Sequence, residues 1–199
     1  MRTIQFLAVS ALMFATGCQT VGHQAPGQGT MGAPSASPMR TAAATLPPKG
    51  FVDFCRRFPA ECSEIADPAG PVALSADRWA ELEAVNRAVN RGIRYVSDQR
   101  RHGRSEYWTL PDGAGDCEDL ALEKRRQLVE LGWPRDSLLI ALATIPRVGG
   151  HAVLVAVTDR GDFVLDVRDG RVRPWDEIPY DWVRRQSPEN PRLWLSLRA

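Results

Sequence analysis

The sequence lacks an excess of charge of either sign. Its 25 Lys and Arg residues balance 24 Asp and Glu residues, which leaves a formal net charge of +1. No run of basic residues is confined to one predicted face. Proteins that bind nucleic acid or anionic surfaces usually carry such a clustered basic patch. The composition therefore indicates no nucleic-acid partner.

Histidine is scarce, which narrows the choice of a general base. The chain has 3 histidines. His23 lies in a segment rich in Gly, Pro and Gln, and His102 lies among three arginines, where a further positive charge is disfavoured. His151 remains, directly after two glycines at the start of a predicted strand. A histidine in that place is often merely structural, so its function depends on a partner.

The N-terminus carries a short apolar run. Residues 1–18 begin with a basic residue, continue through apolar residues and end in Ala15-Thr16-Gly17-Cys18, which is typical of an export signal and not of a spanning helix. The small residues before Cys18 resemble a bacterial lipobox, in which the cysteine becomes the lipidated N-terminus. Ala15 stands where Leu is usual, so a soluble exported protein is the alternative. We expect a periplasmic protein that a lipid anchors to an envelope membrane.

The next segment is predicted to be a tether. Residues 19–50 are dominated by Gly, Ala, Pro, Ser, Thr and Gln without apolar periodicity, so we expect them to be disordered. Residues 51–199 are numerous enough for one domain with a hydrophobic core.

The 4 cysteines receive separate assignments. Cys18 is assigned to lipid. Cys55 and Cys62 lie seven apart in a chain that is expected to be exported, which favours a local disulfide. A metal pair is the alternative, although no nearby histidine would complete a zinc site. Cys117 is left unpaired, and a free thiol in an exported protein needs an explanation.

Apolar spacing predicts helices first and strands afterwards. Helices are expected over residues 75–97 and 117–131. Short β-branched segments separated by turn residues then predict an antiparallel meander. Its strands are expected at residues 138–145, 152–157, 163–167 and 171–173, followed by a segment that wraps the sheet edge and ends in a strand near 193–197. This order predicts an α+β fold with the second helix on one face of the sheet.

Cys117 lies where a loop rich in Pro and Gly meets the second predicted helix. We expect Asp116 to be the N-cap and Asp119 to complete an acidic variant of a capping box. The thiolate would then face the positive end of the helix dipole. Helix N-termini and a neighbouring imidazolium lower a thiol pKa. The alternative is a small, inert buried cysteine.

Asp166 interrupts an apolar strand, where burying an unpaired carboxylate is costly. With a tight turn at residues 160–161, Asp166 lies opposite about Val155 and on the same sheet face as His151. The two side chains would still be separated by about 13 Å along an ideal strand. A bulge, another register or strong twist must bring them together. The alternative is a strand-end residue that faces solvent.

Several stretches resemble a known family. GDCEDLALEKRRQLVELGWP, GGHAVLVAVTDRGDFVLD and YDWVRRQSP are similar to the bacterial transglutaminase-like cysteine proteinases, and FVDFCRRFPAEC fits as well. The resemblance covers residues 51–199. It implies a papain-like α+β fold with a Cys-His-Asp triad at Cys117, His151 and Asp166. Val167 follows the triad Asp where the family often has Asn.

The resemblance also implies a metal and partners. The best-studied members are periplasmic proteases that clip large surface adhesins to release biofilms, and they bind calcium through acids that flank the catalytic cysteine. Those acids fall on Asp116 and Glu118. The alternative is that these acids only complement the helix N-terminus. The implied partners are a surface adhesin as substrate and an inner-membrane cyclic-di-nucleotide receptor.

The leading functional hypothesis is an exported thiol endopeptidase. Cys117 would attack the scissile carbonyl, His151 would take the thiol proton, and Asp166 would orient the imidazole. The backbone N–H of Cys117 can supply one oxyanion donor, and Trp108 is a weak choice for the second. Transglutaminase or amidase chemistry through the same acyl-enzyme is the first alternative. A non-catalytic, tethered peptide-binding domain is the second.

Overall fold

The computed structural model describes residues 34–197. The predicted signal segment and Cys18, the predicted lipidation site, lie outside the described residues. Within residues 34–197, no helix combines the length and the apolar composition that a membrane span requires.

The described residues form helices and strands in the following order. The elements are β1 Thr41–Thr45, α1 Lys49–Arg57, α2 Ala76–Gly92, β2 Arg94–Tyr95, α3 Asp98–His102, β3 Ala114–Gly115, α4 Cys117–Glu130, β4 Leu138–Ile145, β5 Gly149–Thr158, β6 Gly161–Leu165, β7 Arg173–Pro174, β8 Asp181–Gln186 and β9 Trp194–Leu197. Short 3₁₀ helices lie at Pro59–Cys62, Arg135–Ser137 and Trp175–Glu177.

The main sheet contains seven strands in the order β1-β9-β8-β4-β5-β6-β7. Its pairs are antiparallel, and β4 to β7 form the predicted meander. The helices α2 and α4 cover one face of the sheet, where Leu82, Leu120 and Leu154 are fully buried in one hydrophobic cluster. The prediction of an α+β fold with helices on an antiparallel sheet is confirmed.

The opposite face of the sheet is also covered. Its smaller cluster consists of Met39, Ala141, Val153, Val155 and Val164, with Trp175 and Trp182 packed against it. Because both faces are buried, the central strands β4, β5 and β6 are almost continuously apolar instead of alternating.

The helix α2 begins and ends for local reasons. Ser75 caps it by accepting a hydrogen bond from the backbone N–H of Arg78 at 3.1 Å. The helix ends at Gly92, five residues before the predicted end, because Ile93 is already extended and the chain continues into β2. That early end matters for the site, since β2 leads directly to the loop around α3.

The predicted tether extends too far, because the chain is folded from at least residue 34. The strand β1 pairs with β9, and Met39 is 3% exposed. The N–H of Ala36 donates to the carbonyl of Arg160 at 2.7 Å, and a Cβ on Gly161 would lie 2.0 Å from the Ala36 oxygen. Backbone hydrogen bonds hold this segment to the sheet. A segment that is held in this way needs no periodic apolar residues, and for that reason its sequence did not predict a strand. We call residues 34–50 the strap.

The segment after β7 is likewise not a simple wrap around the sheet edge. It contains β8, which lies inside the sheet between β9 and β4. Gln186 at the end of β8 is 1% exposed, accepts from the N–H of Ile140 at 2.9 Å and donates to the carbonyl of Pro191 at 3.0 Å. Polar residues mask the strand pattern here, which explains why the sequence did not predict it.

The first two domain cysteines form a disulfide. The S–S distance between Cys55 and Cys62 is 2.08 Å, and the bridge joins α1 to the 3₁₀ turn after it. Both residues are buried, and the disulfide uses both sulfur atoms, which excludes a metal pair at this position. Closing so short a loop contributes about 2 kcal/mol in the chain-entropy model.

Candidate active site

The start of α4 is built by a small parallel bridge. The strands β2 and β3 pair so that Tyr95 lies beside Gly115, and the N–H of Val96 donates to the Gly115 carbonyl at 2.9 Å. Gly115 is required because a Cβ there would lie 2.7 Å from the Cβ of Asp119. This bridge brings Asp98 close to Asp116, the residue that precedes Cys117.

The predicted capping box is wrong. Asp116 stands at the N-cap of α4, but its side chain makes no capping hydrogen bond, and its Oδ2 accepts from the N–H of Asp98 at 3.0 Å. Asp119 accepts from the N–H of Thr109 at 2.7 Å instead of reaching back to the cap. Both carboxylates satisfy backbone N–H groups that have no other partner, because Asp98 is the first residue of α3 and Thr109 lies in a loop.

His151 and Asp166 are in direct contact. Their Nε2 and Oδ1 atoms are 2.7 Å apart, and both residues are more than nine-tenths buried. The predicted separation was too long because the hairpin turns at residues 159–160 and pairs Leu154 with Leu165. Asp166, just beyond the end of β6, therefore lies near Val153 and two residues closer to His151. The prediction that both lie on one sheet face holds in this register.

Asp166 is held by three donors. Besides His151, the N–H of Arg168 donates to Oδ1 at 2.9 Å and the hydroxyl of Tyr180 donates to Oδ2 at 2.7 Å. Burial by itself would raise the pKa of Asp166, but these hydrogen bonds outweigh it and lower the pKa below its usual value. The side-chain amide of Asn90 also donates a hydrogen bond to the backbone carbonyl of Asp166 at 2.8 Å. Asp166 is therefore an ionised, rigidly oriented acceptor.

Tyr180 is a site residue that sequence reasoning missed. Its ring lies edge-on to the imidazole of His151, with centroids 5.8 Å apart. It stands in an irregular segment before β8 with no periodic pattern, so only its place in the family-like stretch YDWVRRQSP marked it. Burial, and then the hydrogen bond to Asp166, raise the pKa of Tyr180 well above its usual value, so it stays a donor.

Cys117 and His151 open into the same cleft. This cleft has a volume of about 410 Å³ and is also lined by Ala143, Gly150 and Ala152. Cys117 is the first residue of α4 and is partly exposed. Burial raises the pKa of its thiol well above the usual range, and the charge of Glu118 adds to this, while the Ala152 N–H opposes it. The Sγ atom donates to Glu118 Oε2 at 3.1 Å.

The acids around the thiol form a cluster with unused oxygens. One carboxylate oxygen each from Asp98, Asp116 and Glu118 lie within 4.8 Å of one another. The Oδ1 atoms of Asp98 and Asp116 are buried without a hydrogen-bond partner in the described part of the chain. Burial, and then the charge of Asp116, raise the pKa of Glu118 to about 9. Buried carboxylates that repel one another in this way suit a hard cation such as Ca²⁺, which prefers oxygen ligands.

Asp98 is the member of this cluster that the sequence did not reveal. The sequence places it in a charged loop after the first predicted helix, whereas in the structure it begins α3. It is 1% exposed and stands 18 residues before Asp116. Only the bridge between β2 and β3 brings the two together, and such short parallel pairs leave no pattern in a sequence.

Two other predicted residues have different surroundings. Trp108 lines the cleft, but its Nε1 donates to Glu106 at 3.2 Å, so this N–H is already engaged. His102 packs against the ring of Tyr107 at a tilt of 47°, with ring centroids 4.4 Å apart. Its Nε2 is buried and has no hydrogen-bond partner among residues 34–197.

Comparison with known proteins agrees with this geometry. The family model of the bacterial transglutaminase-like cysteine proteinases (BTLCP) matches residues 41–199, which include every residue of the cleft. The chain belongs to this family. The predicted class of enzyme, a transglutaminase-like cysteine peptidase, is thereby confirmed.

Solved structures of Legionella pneumophila LapG resemble this chain. The calcium-bound structure is 30% identical over 58% of this chain and 67% of LapG, with a TM-score of 0.51. The EGTA-treated structure is 31% identical over 59% of this chain and 66% of LapG, with a TM-score of 0.50. This BTLCP chain thus matches about two thirds of LapG. No curated protein matches the chain.

Tyr180→Phe tests whether the tyrosine positions the acid. Loss of the hydroxyl leaves Asp166 Oδ2 without a donor, and we expect kcat of peptide hydrolysis to fall roughly tenfold with little change in KM. Steady-state kinetics across pH should also show an altered acidic limb. Tyr107→Phe is the matched control, because Tyr107 contributes its ring to the packing of Arg57. Wild-type kinetics in Tyr180→Phe would remove the positioning role.

Proposed function

We propose that this BTLCP protein is an exported thiol endopeptidase that uses Cys117, His151 and Asp166. The observation that carries the proposal is the 2.7 Å contact between His151 and Asp166 in a cleft that also exposes Cys117 at the start of α4. A nucleophile, a base and a group that orients the base thus share one site. Membership of a cysteine proteinase family supports the same chemistry.

The hydrogen bonds assign the roles of the imidazole nitrogens. Ionised Asp166 keeps a proton on Nε2 of His151, which leaves Nδ1 as the acceptor for the thiol proton. The thiolate of Cys117 attacks the scissile carbonyl carbon, and the backbone N–H of Cys117 donates to the resulting oxyanion. The imidazolium then protonates the leaving amine and a thioester remains.

Deacylation reverses these roles. A water molecule gives a proton to Nδ1 of His151 as it attacks the thioester carbon, and the proton returns to the departing sulfur of Cys117. If a primary amine takes the place of water, the same thioester yields a transamidated product. Competition between water and added amine in product analysis therefore separates the endopeptidase from a transglutaminase.

Triad substitutions test the proposal. We expect Cys117→Ser, His151→Ala and Asp166→Asn each to lower kcat by about a thousandfold or more, because the three groups act as a unit. The measurement is hydrolysis of a candidate adhesin, followed by mass spectrometry of the products. His102→Ala is the matched control, since His102 lies outside the cleft-lining residues. Near wild-type turnover by His151→Ala would overturn the triad.

We also propose that Asp98, Asp116 and Glu118 hold a calcium ion. Support comes from the two buried, unpartnered Oδ1 atoms and from the elevated pKa of Glu118. The similarity to a structure described as calcium-bound LapG agrees with this. The ion, when bound, would supply positive charge that compensates the carboxylates beside the thiol. The Glu118 carboxylate, which accepts a hydrogen bond from the Cys117 thiol, would then be drawn away from that thiol.

Calcium binding should stabilise the protein and depend on pH. Because the ligands must be ionised, affinity should increase as pH rises toward the elevated pKa of Glu118, by at most about tenfold per pH unit. A calcium titration followed by the thermal midpoint measures this without reference to activity. Asp98→Asn should weaken binding, whereas Glu83→Gln, a change on α2 that removes only the ion pair with Arg87, should not. An unchanged midpoint in calcium and in EGTA would leave these acids without a metal.

Export and partners complete the proposal. The predicted signal and lipobox favour an envelope protein anchored through Cys18, and the family resemblance favours a large surface adhesin as substrate and a cyclic-di-nucleotide receptor as regulator. Mass spectrometry of the mature protein should find an acylated N-terminal Cys18. A mature chain that begins elsewhere and carries no acyl group would contradict the anchor. Genes for a repeat adhesin and such a receptor beside this one would support the two partners.

A further inference from the structure

Two cations of the cleft lack an acidic partner. Lys49 and Arg184 both line it, and neither forms an ion pair with any carboxylate of residues 34–197. Lys49 is exposed at the start of α1. The Nε of Arg184 is buried and has no hydrogen-bond partner in the same part of the chain. Unpaired positive charge thus collects at one place in a protein whose formal net charge is only +1.

The acids of the cleft are engaged elsewhere. Glu106 accepts the indole N–H of Trp108 at 3.2 Å, and Glu118 accepts the thiol of Cys117 at 3.1 Å and belongs to the acidic cluster. Neither neutralises Lys49 or Arg184. Glu118 therefore places negative charge beside the nucleophile, whereas Glu106 lies next to Gly50, the residue after Lys49. Lys49 and Arg184 together outweigh the single charge of Glu106, so this part of the cleft keeps an excess of positive charge.

The fold fixes the position of Arg184. It stands on β8, its guanidinium donates to the carbonyl of Leu46 in the strap, and Leu46 lies three residues before Lys49. The side chain is therefore restrained by the crossing of the strap over the sheet. A restrained guanidinium loses little conformational entropy when it binds a carboxylate.

The sheet register gives the backbone separation between Arg184 and the residue beside the nucleophile. Arg184 pairs with Leu142 of β4, and Leu142 pairs with Ala152 of β5, whose N–H lies beside the Cys117 sulfur. The backbones of Arg184 and Ala152 are two strand spacings apart, which is about 10 Å. An extended peptide covers that distance in about three residues.

We propose that Lys49 and Arg184 form a subsite for an Asp or Glu side chain of the substrate, about three residues from the scissile bond. The inference rests on the proposed peptidase function and names a feature of its substrates. An extended peptide segment with one acidic residue fits because the walls near the thiol are small and uncharged at Ala143, Gly150 and Ala152. Charge complementarity then selects the acid at the cationic end.

The test separates binding from cleavage. Synthetic peptides of one uncharged sequence carry Glu, Gln or Lys at each position in turn, and their affinities for the Cys117→Ser protein are measured at low and high salt. We expect Glu to bind about tenfold more tightly than Gln at one position, with a smaller ratio at high salt. Arg184→Gln and Lys49→Gln should each reduce that ratio, and Arg184→Lys should retain most of it.

The controls decide between the outcomes. Arg91→Gln removes an exposed arginine at the end of α2 and should keep the Glu preference. Equal affinities for Glu and Gln peptides at every position would overturn the subsite. Hydrolysis of the same peptides by the wild-type protein is measured separately. An acid preference in binding without cleavage would overturn the proposed peptidase function alone. Cleavage without the acid preference would overturn the proposed subsite alone.

Discussion

The structure depends on how it accommodates buried carboxylates around a single thiol. Asp166, on the side of His151, accepts hydrogen bonds from three donors, so its charge is stabilised despite burial. Asp98 at the start of α3 and Asp116 at the start of α4 each keep a buried oxygen without a hydrogen-bond partner among residues 34–197. Donors of the protein itself satisfy Asp166, whereas the unpartnered oxygens of Asp98 and Asp116 remain available to a cation. This difference supports the proposed roles, in which Asp166 orients the base and the acids beside the thiol bind calcium.

The rest of the fold serves to bring these acids to one cleft. The β5–β6 hairpin places Asp166 against His151, and the short bridge between β2 and β3 places Asp98 beside Asp116. The strap closes the remaining side, because its passage along β9 and over β8 delivers Lys49 to the rim. A segment without hydrophobic pattern thus becomes part of the site wall.

Elements with a strong local pattern could be predicted from the sequence. The start of α4 at Cys117, the bounds of β4 and the pairing partner of Cys55 all follow from apolar spacing or from cysteine spacing. Elements held by backbone pairing at a distance could not. The strand β1 is a run of Thr and Ala that forms because β9 lies beside it, and β8 carries charged residues within the sheet.

The same distinction applies to the site. Cys117 and His151 could be singled out because free cysteines and histidines are rare in this sequence, and because each follows a Gly-rich segment at the start of a predicted helix or strand. Tyr180 and Asp98 could not, since a tyrosine and an acid carry no distinctive pattern and only tertiary contacts bring them into the site. The turn of the β5–β6 hairpin was misplaced by one residue, and that error doubled the expected offset between His151 and Asp166.

The most direct test of the central claim is the reactivity of the Cys117 thiol. The rate of alkylation by iodoacetamide is measured across pH in the presence of calcium, and mass spectrometry identifies the peptide that contains Cys117. The account predicts faster alkylation than a model thiol near neutral pH, because bound calcium would compensate the carboxylates that disfavour the thiolate and His151 would accept the thiol proton. Alkylation should be slower in His151→Ala. A Cys117 that reacts no faster than a model thiol, with or without His151, would contradict the account and leave a peptide-binding domain in place of an enzyme.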